Sequence, residues 1–299
     1  MATLATPAGI ALKRILVATD FSSCSEKALH HALAIARTYQ SHLYLIHVVS
    51  SLGFTMAGGD TIAQAVDAAQ ADLRRLEKKL EESGRLAALE HTELVRDGNV
   101  WQQLEQTIED EHIDLVVIGT HGRTGLRKIV LGSVAEEIFR HASCPVLTVG
   151  PCAPSEAPAG ARLRQILYPT DMSVESAAAA HWAASLAREH GARLTVLHVF
   201  EEISGEARLD PDRVRTALES KLREWLPESA HFNSHYMIAH GLIDDMILKN
   251  AAEEPADLII MGLRSPQTFF DHLSWLHAYR IVSEACCPVL TVRAPRGRF

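Results

Sequence analysis

Two tandem copies of one α/β domain are expected, each built on a five-stranded parallel sheet covered by helices on both faces. Three observations predict this. The chain repeats itself: residues 15–49 (ILVATDFSSCSEKALHHALAIARTYQSHLYLIHVV) align without a gap on residues 166–200 (ILYPTDMSVESAAAAHWAASLAREHGARLTVLHVF), with 14 of the 35 positions identical. Within each copy, short apolar runs rich in β-branched residues alternate with segments of helical periodicity. The length, 299 residues, suits two domains.

In the first copy the elements follow in order. Residues 14–18 form a short buried strand. Residues 25–39 carry Ala28, Leu29, Ala32, Leu33, Ile35 and Ala36 at helical spacing. A second strand spans 42–49. A long charged helix spans about 61–83, with Gly84 as its C-cap. A strand at 93–96, a helix at 100–111 and a fully apolar strand at 115–118 come next, then a helix at 133–141 and a last strand at 146–149.

The far ends repeat too. Residues 114–119 (DLVVIG) match 257–262 (DLIIMG), and 143–149 (SCPVLTV) match 286–292 (CCPVLTV). The offset here is 143 (257 minus 114), against 151 (166 minus 15) at the start, so the second copy is eight residues shorter in its middle. The first domain therefore spans 1–150 and the second 165–299. Residues 151–164, rich in Pro, Ala and Gly, read as a short irregular tether.

Composition excludes several classes. The net charge is −8, shared evenly: 14 basic and 18 acidic residues in 1–150, 15 and 19 in 151–299. With no basic run, nucleic acid is not an expected partner. No stretch of about 18 apolar residues offers a membrane span. Residues 1–12 lack the preceding positive region of a signal peptide, so a cytoplasmic location is expected. The five cysteines form no C-x-x-C pair and read as reduced thiols.

In open parallel sheets ligands bind at the carboxyl ends of strands, where the strand order reverses. Two groups lie at such ends: Thr19-Asp20 after the first strand, and GTHGRTGLRKIVLGSVAEE (119–137) after the fourth. The latter has glycines at 119, 122, 125 and 132, which let backbone N–H groups approach an anion. Gly132-Ser133 opens a helix, whose free N–H groups and dipole favour negative charge. Arg123, Arg127 and Lys128 add positive charge. The same residues also permit a plainer reading: Ser133 with Glu136 as a capping box, and the glycines as ordinary turns. The loop is neither a Walker loop nor a dinucleotide G-x-G-x-x-G.

The spacing Gly119-x2-Gly122-x9-Gly132-Ser133 resembles the signature of the ATP-binding branch of the universal stress protein family. The resemblance extends over both copies. It includes the opening I-L-V-x-x-D-x-S (Ile15, Leu16, Val17, Asp20, Ser22), the strand end His47-Val48-Val49 and the closing Cys144-Pro145-Val146. It implies a doubly wound, Rossmann-like sheet of order 3-2-1-4-5 that binds ATP, usually with Mg²⁺. Ala18, Thr19 and Val48 would line the adenine pocket beside Ile118, and Asp20 would accept from the ribose hydroxyls. Gly119, Gly122, Gly132, Ser133 and Val134 would cradle ribose and phosphates, with His121 and Arg123 along the phosphate track. A solvent-facing loop position is an equal alternative for His121, and capping of the first helix an alternative for Asp20. The resemblance further implies that each last strand pairs with its equivalent. That would make the two copies an internal pseudo-dimer, and it leaves open a homodimer through edge strands.

The second copy departs from this pattern. At the offset of 143, Gly122 becomes Ser265, Gly132 becomes Trp275 and Ser133 becomes Leu276; Pro266 removes a further donor. Loss of ATP binding is expected there, with Phe269, Phe270 and Trp275 filling the cleft or forming an interface. Asp171 still matches Asp20.

No nucleophile–base pair and no two-metal carboxylate cluster stands out. His47 and His198 occupy equivalent strand ends, where a structural role is expected. The expected function is stress-response regulation by ATP binding in the first domain, with little or no hydrolysis, sensed by a protein partner that the sequence does not name. The alternatives are a slow ATPase or nucleotide hydrolase, a nucleotide-independent interaction scaffold, and a site for another adenine ligand such as a cyclic nucleotide.

Overall fold

The computed structural model describes residues 9–50, 59–121, 131–158, 162–201, 216–217, 220–221, 233–263 and 271–293. The chain divides into two compact units, Ala11–Ala161 and Arg162–Phe299.

The first unit runs β1 (Arg14–Ala18), α1 (Ser23–Tyr39), β2 (His42–Ser50), α2 (Gly59–Glu82), β3 (His91–Gly98), α3 (Val100–Asp110), β4 (Leu115–Gly119), α4 (Ser133–His141) and β5 (Val146–Val149). Its strands are parallel and ordered β3-β2-β1-β4-β5. The second unit has β6 (Gln165–Pro169), α5 (Val174–His190), β7 (Arg193–Phe200), β8 (Ser234–His240), α6 (Ile243–Glu253), β9 (Leu258–Leu263), α7 (Asp271–Glu284) and β10 (Val289–Arg293). These strands are also parallel, ordered β8-β7-β6-β9-β10. Both units thus have the expected 3-2-1-4-5 order. The apolar runs became central strands because helices cover both faces: Ile15, Leu16, Val17, Val116 and Val117 are wholly buried.

One carboxylate registers β1 against β4. Asp114 Oδ2 accepts from the backbone N–H of Lys13 (2.8 Å) and Arg14 (2.9 Å). Asp257 does the same for Arg164 (2.6 Å) and Gln165 (3.0 Å) in the second unit. The repeat therefore extends to a specific hydrogen-bonding device.

The start of the segment read as a tether is docked on the first unit. Lys27 Nζ donates to the carbonyls of Pro151 (2.6 Å) and Ala153 (3.0 Å), and His31 Nε2 to that of Pro154 (3.0 Å). Arg85 pairs with Glu156 at 2.6 Å. These partners lie far from it in sequence, so composition alone did not reveal the contact.

Candidate functional site

The end of β1 is shaped by a turn that both units share. The Nδ1 of His47 donates to the Thr19 carbonyl (2.7 Å), and the backbone N–H of Thr19 donates to Ile46 (2.9 Å). His198 and Thr170 repeat the first contact at 2.8 Å, the structural role expected of these histidines. Phe21 then adopts φ +62°, a conformation that bulky side chains avoid, and Met172 does so at +58°. The hydroxyl oxygens of Thr19 and Thr170 hold these residues by accepting from their N–H groups, each at 3.0 Å. Asp20 Oδ1 accepts from Ser22 N–H (3.0 Å), which orients the carboxyl group. The cap of α1 is Ser22, whose hydroxyl accepts from Ser25 N–H at 3.2 Å, so the capping alternative for Asp20 is replaced by an Asx turn.

At the end of β4, Thr120 N–H donates to Val149 (3.1 Å) and Gly132 N–H donates to the Thr120 carbonyl (2.9 Å), which closes the neck of the glycine loop. Helix α4 starts at Ser133 after Gly132, and Gly132 supplies no side-chain cap. Ser133 is thus the first helical residue. The capping-box alternative does not form, and Glu136 instead pairs with Arg140 (2.7 Å). The N–H groups of the first turn lack that intrahelical partner and keep their affinity for an anion.

Gly119 lines the cleft at these strand ends and also meets a packing requirement that its spacing did not suggest. A Cβ there would lie 2.7 Å from the backbone carbonyl carbon of Cys24 and 2.9 Å from its oxygen. The glycine is required by the close approach of α1 to β4.

These two strand ends, the start of α4 and one face of α3 line an open cleft of about 220 Å³. It brings together Ala18, Thr19, Asp20, Val48, Ile118 and Gly119, and also His121, Gly132, Ser133 and Val134. His121 is among the residues lining the cleft, and its Nδ1 hydrogen-bonds the Thr120 hydroxyl (2.9 Å). Gly122 and Arg123, like the cations Arg127 and Lys128, lie outside the described residues. Sequence reasoning missed Val100 and Leu104, which line the cleft from α3. The repeat carried a signal for them: at the offset of 143 they become Ile243 and Ile247, equally apolar.

The second unit has a cleft of about 250 Å³ in the equivalent place. Here α7 begins at Asp271, five residues before Leu276, the counterpart of Ser133. The N–H groups that correspond to the first-turn ones of α4 therefore lie within a helix and donate to carbonyls four residues back. Phe269, Phe270 and the side chain of Trp275, expected to fill this cleft, lie outside the described residues. Among the described residues no group of three or more His, Cys, Asp or Glu could hold a metal ion, and no helix is long and apolar enough to cross a membrane.

Comparison with known proteins agrees with this architecture. The family model described as "Universal stress protein family" matches residues 11–150 and again 162–293. Universal stress protein MJ0531 of Methanocaldococcus jannaschii is 36% identical over 142 residues, covering 46% of this chain and 81% of that one. A universal stress protein of Mycolicibacterium smegmatis is 23% identical over 291 residues, covering 93% and 96%. The crystal structure of a universal stress protein from Archaeoglobus fulgidus superposes with a TM-score of 0.71 at 19% identity, covering 95% of this chain and 97% of that one. This last likeness concerns the fold.

Proposed function

The chain belongs to the universal stress protein family, and from that premise we propose that its first unit alone binds ATP, with little or no hydrolysis, as a regulatory signal. The observation that carries this reading is one cleft with two complementary ends. One end offers Asp20, a carboxylate that accepts hydrogen bonds from ribose hydroxyls, beside the apolar walls of Ala18, Val48, Val100, Leu104 and Ile118. The other end offers the start of α4 at Gly132, Ser133 and Val134, which suits phosphate. Magnesium would be held by phosphate oxygens and water, since no protein metal cluster adjoins the cleft among the described residues. Bound and empty states would differ at the glycine loop, where a protein partner could read the difference.

Calorimetric titration of ATP–Mg²⁺ tests this. One site per chain is expected, abolished by Gly132→Trp, which imitates the second copy. Asp20→Ala should weaken binding by about 10- to 100-fold, the range for removing a charged hydrogen-bond partner. Two sites per chain, or ATP turnover well above background that is lost with Asp20→Ala, would overturn the reading.

A further inference from the structure

The second cleft has kept one half of the first and inverted the other. Every residue lining it except Ser173 and Glu201 stands, at the offset of 151 or 143, where the first cleft has a lining residue. At the nucleoside-facing half the character is preserved. Val48 becomes Val199, Ile46 becomes Leu197, Val100 and Leu104 become Ile243 and Ile247, and Ile118 becomes Met261. Asp171 replaces Asp20 on the same strained turn, its Oδ1 accepting from Ser173 N–H at 2.9 Å and also from the Ser176 hydroxyl.

The opposite half has changed sign. Val134, in the first turn of α4, becomes His277, inside α7. Its Nδ1 lies 3.2 Å from Asp244 Oδ1 and its Nε2 3.7 Å from Glu201 Oε1. Arg280 is directed at carboxylates rather than at the cleft, pairing with Asp244 (2.9 Å), Asp245 (2.7 Å) and Glu284 (3.0 Å). Burial acts to raise the Asp244 carboxyl, but the Arg280 hydrogen bond and the nearby His277 outweigh it and hold it below its usual range, so it stays charged. Among the described lining residues the charged ones are Asp171 and Glu201, with His277 between carboxylates and no Lys or Arg. A polyphosphate would meet buried helix N–H groups and like charge. A neutral ligand with hydroxyl donors would meet acceptors and an apolar wall.

We propose that the second cleft is a site for a nucleoside that carries no phosphate, its base against Val199, Ile243 and Met261 and its ribose hydroxyls donating to Asp171. This rests on reading the first cleft as a nucleotide site, because the equivalence of the two clefts assigns the base and ribose ends. The protein would then take a phosphorylated ligand in one unit and its unphosphorylated counterpart in the other.

The test titrates the full chain with adenosine and, separately, with ATP–Mg²⁺, using the matched cleft-filling variants Val48→Trp and Val199→Trp. Circular dichroism and thermal unfolding check that each variant folds. Adenosine should bind the Val48→Trp chain at one per chain, bind it at least tenfold more weakly once Asp171→Asn is added, and lose that site when Val48→Trp and Val199→Trp are combined. Its affinity should not change with salt, since no charge is neutralised. ATP should be unaffected by Val199→Trp. No adenosine binding, adenosine binding lost with Val48→Trp alone, or a second ATP site lost with Val199→Trp would each overturn the inference. Absence of ATP binding alongside an adenosine site lost with Val199→Trp would sink the proposed function of the first unit and leave this inference standing.

Discussion

A Gly119→Ala substitution would place its new Cβ 2.7 Å from the Cys24 carbonyl carbon, 2.9 Å from the oxygen and 3.0 Å from the Cys24 Cβ. Two of these neighbours are backbone atoms in the first turn of α1, so no side-chain rotation relieves the contact. Either α1 shifts outward or β4 bends. Overpacking of this kind costs about 1–3 kcal/mol. For a domain of this size each kcal/mol moves Tm by about 2–4 °C, so a fall of roughly 2–12 °C is expected. Gly132 is the matched control. Its φ of −61° and ψ of 148° suit any residue, so Gly132→Ala should leave the Tm of the unliganded chain almost unchanged. If Gly132 is needed for the approach of phosphate, the same variant should weaken ATP binding. Thermal unfolding without ligand and calorimetry with ATP–Mg²⁺ separate the two effects. An unchanged Tm for Gly119→Ala would refute the reasoning, because the close approach of α1 would then impose no requirement for glycine there.

Three further outcomes are expected. Glu93 is pushed upward, first by burial and then by Glu77, and its Oε1 lacks a hydrogen-bond partner, so Glu93→Gln should raise Tm at neutral pH; a lower Tm would contradict this. His31 is pushed below its ordinary 6.5 by burial, so the unfolded chain binds the proton first as pH falls. The stability that the neutral ring contributes is present above 6.5 and lost as pH falls below it through the depressed value; His31→Gln should flatten that loss below pH 6.5, as unfolding at each pH would reveal. Asp114→Ala leaves two strand N–H groups without their carboxylate and should cost about 1–3 kcal/mol, with Asp257→Ala costing a similar amount in the second unit; denaturant unfolding that shows no loss for either would remove the registering role.

The repeat, the order of elements and the loss of the glycine-loop pattern in the second copy were all legible in the residues. Strand and helix periodicity, the turn after each first strand and the exchange of Gly132 for Trp275 are local features that act within a few residues. The 3-2-1-4-5 order came through the family resemblance, and the structure has it in both units. What the sequence left ambiguous was settled by pairs distant in the chain. That Gly119 must also admit the backbone of α1 is visible only once Cys24 is placed beside it. Ser133 reads as a cap until the helix is seen to begin at it. Residues 151–156 read as a tether until Lys27, His31 and Arg85 hold them. The acidic end of the second cleft needs Glu201, Asp244 and His277, which come from three separate elements. Periodicity follows from the geometry of one helix or strand. A close approach or a cluster of charges exists only once the sheet order has brought remote segments together, and tertiary structure alone decides that.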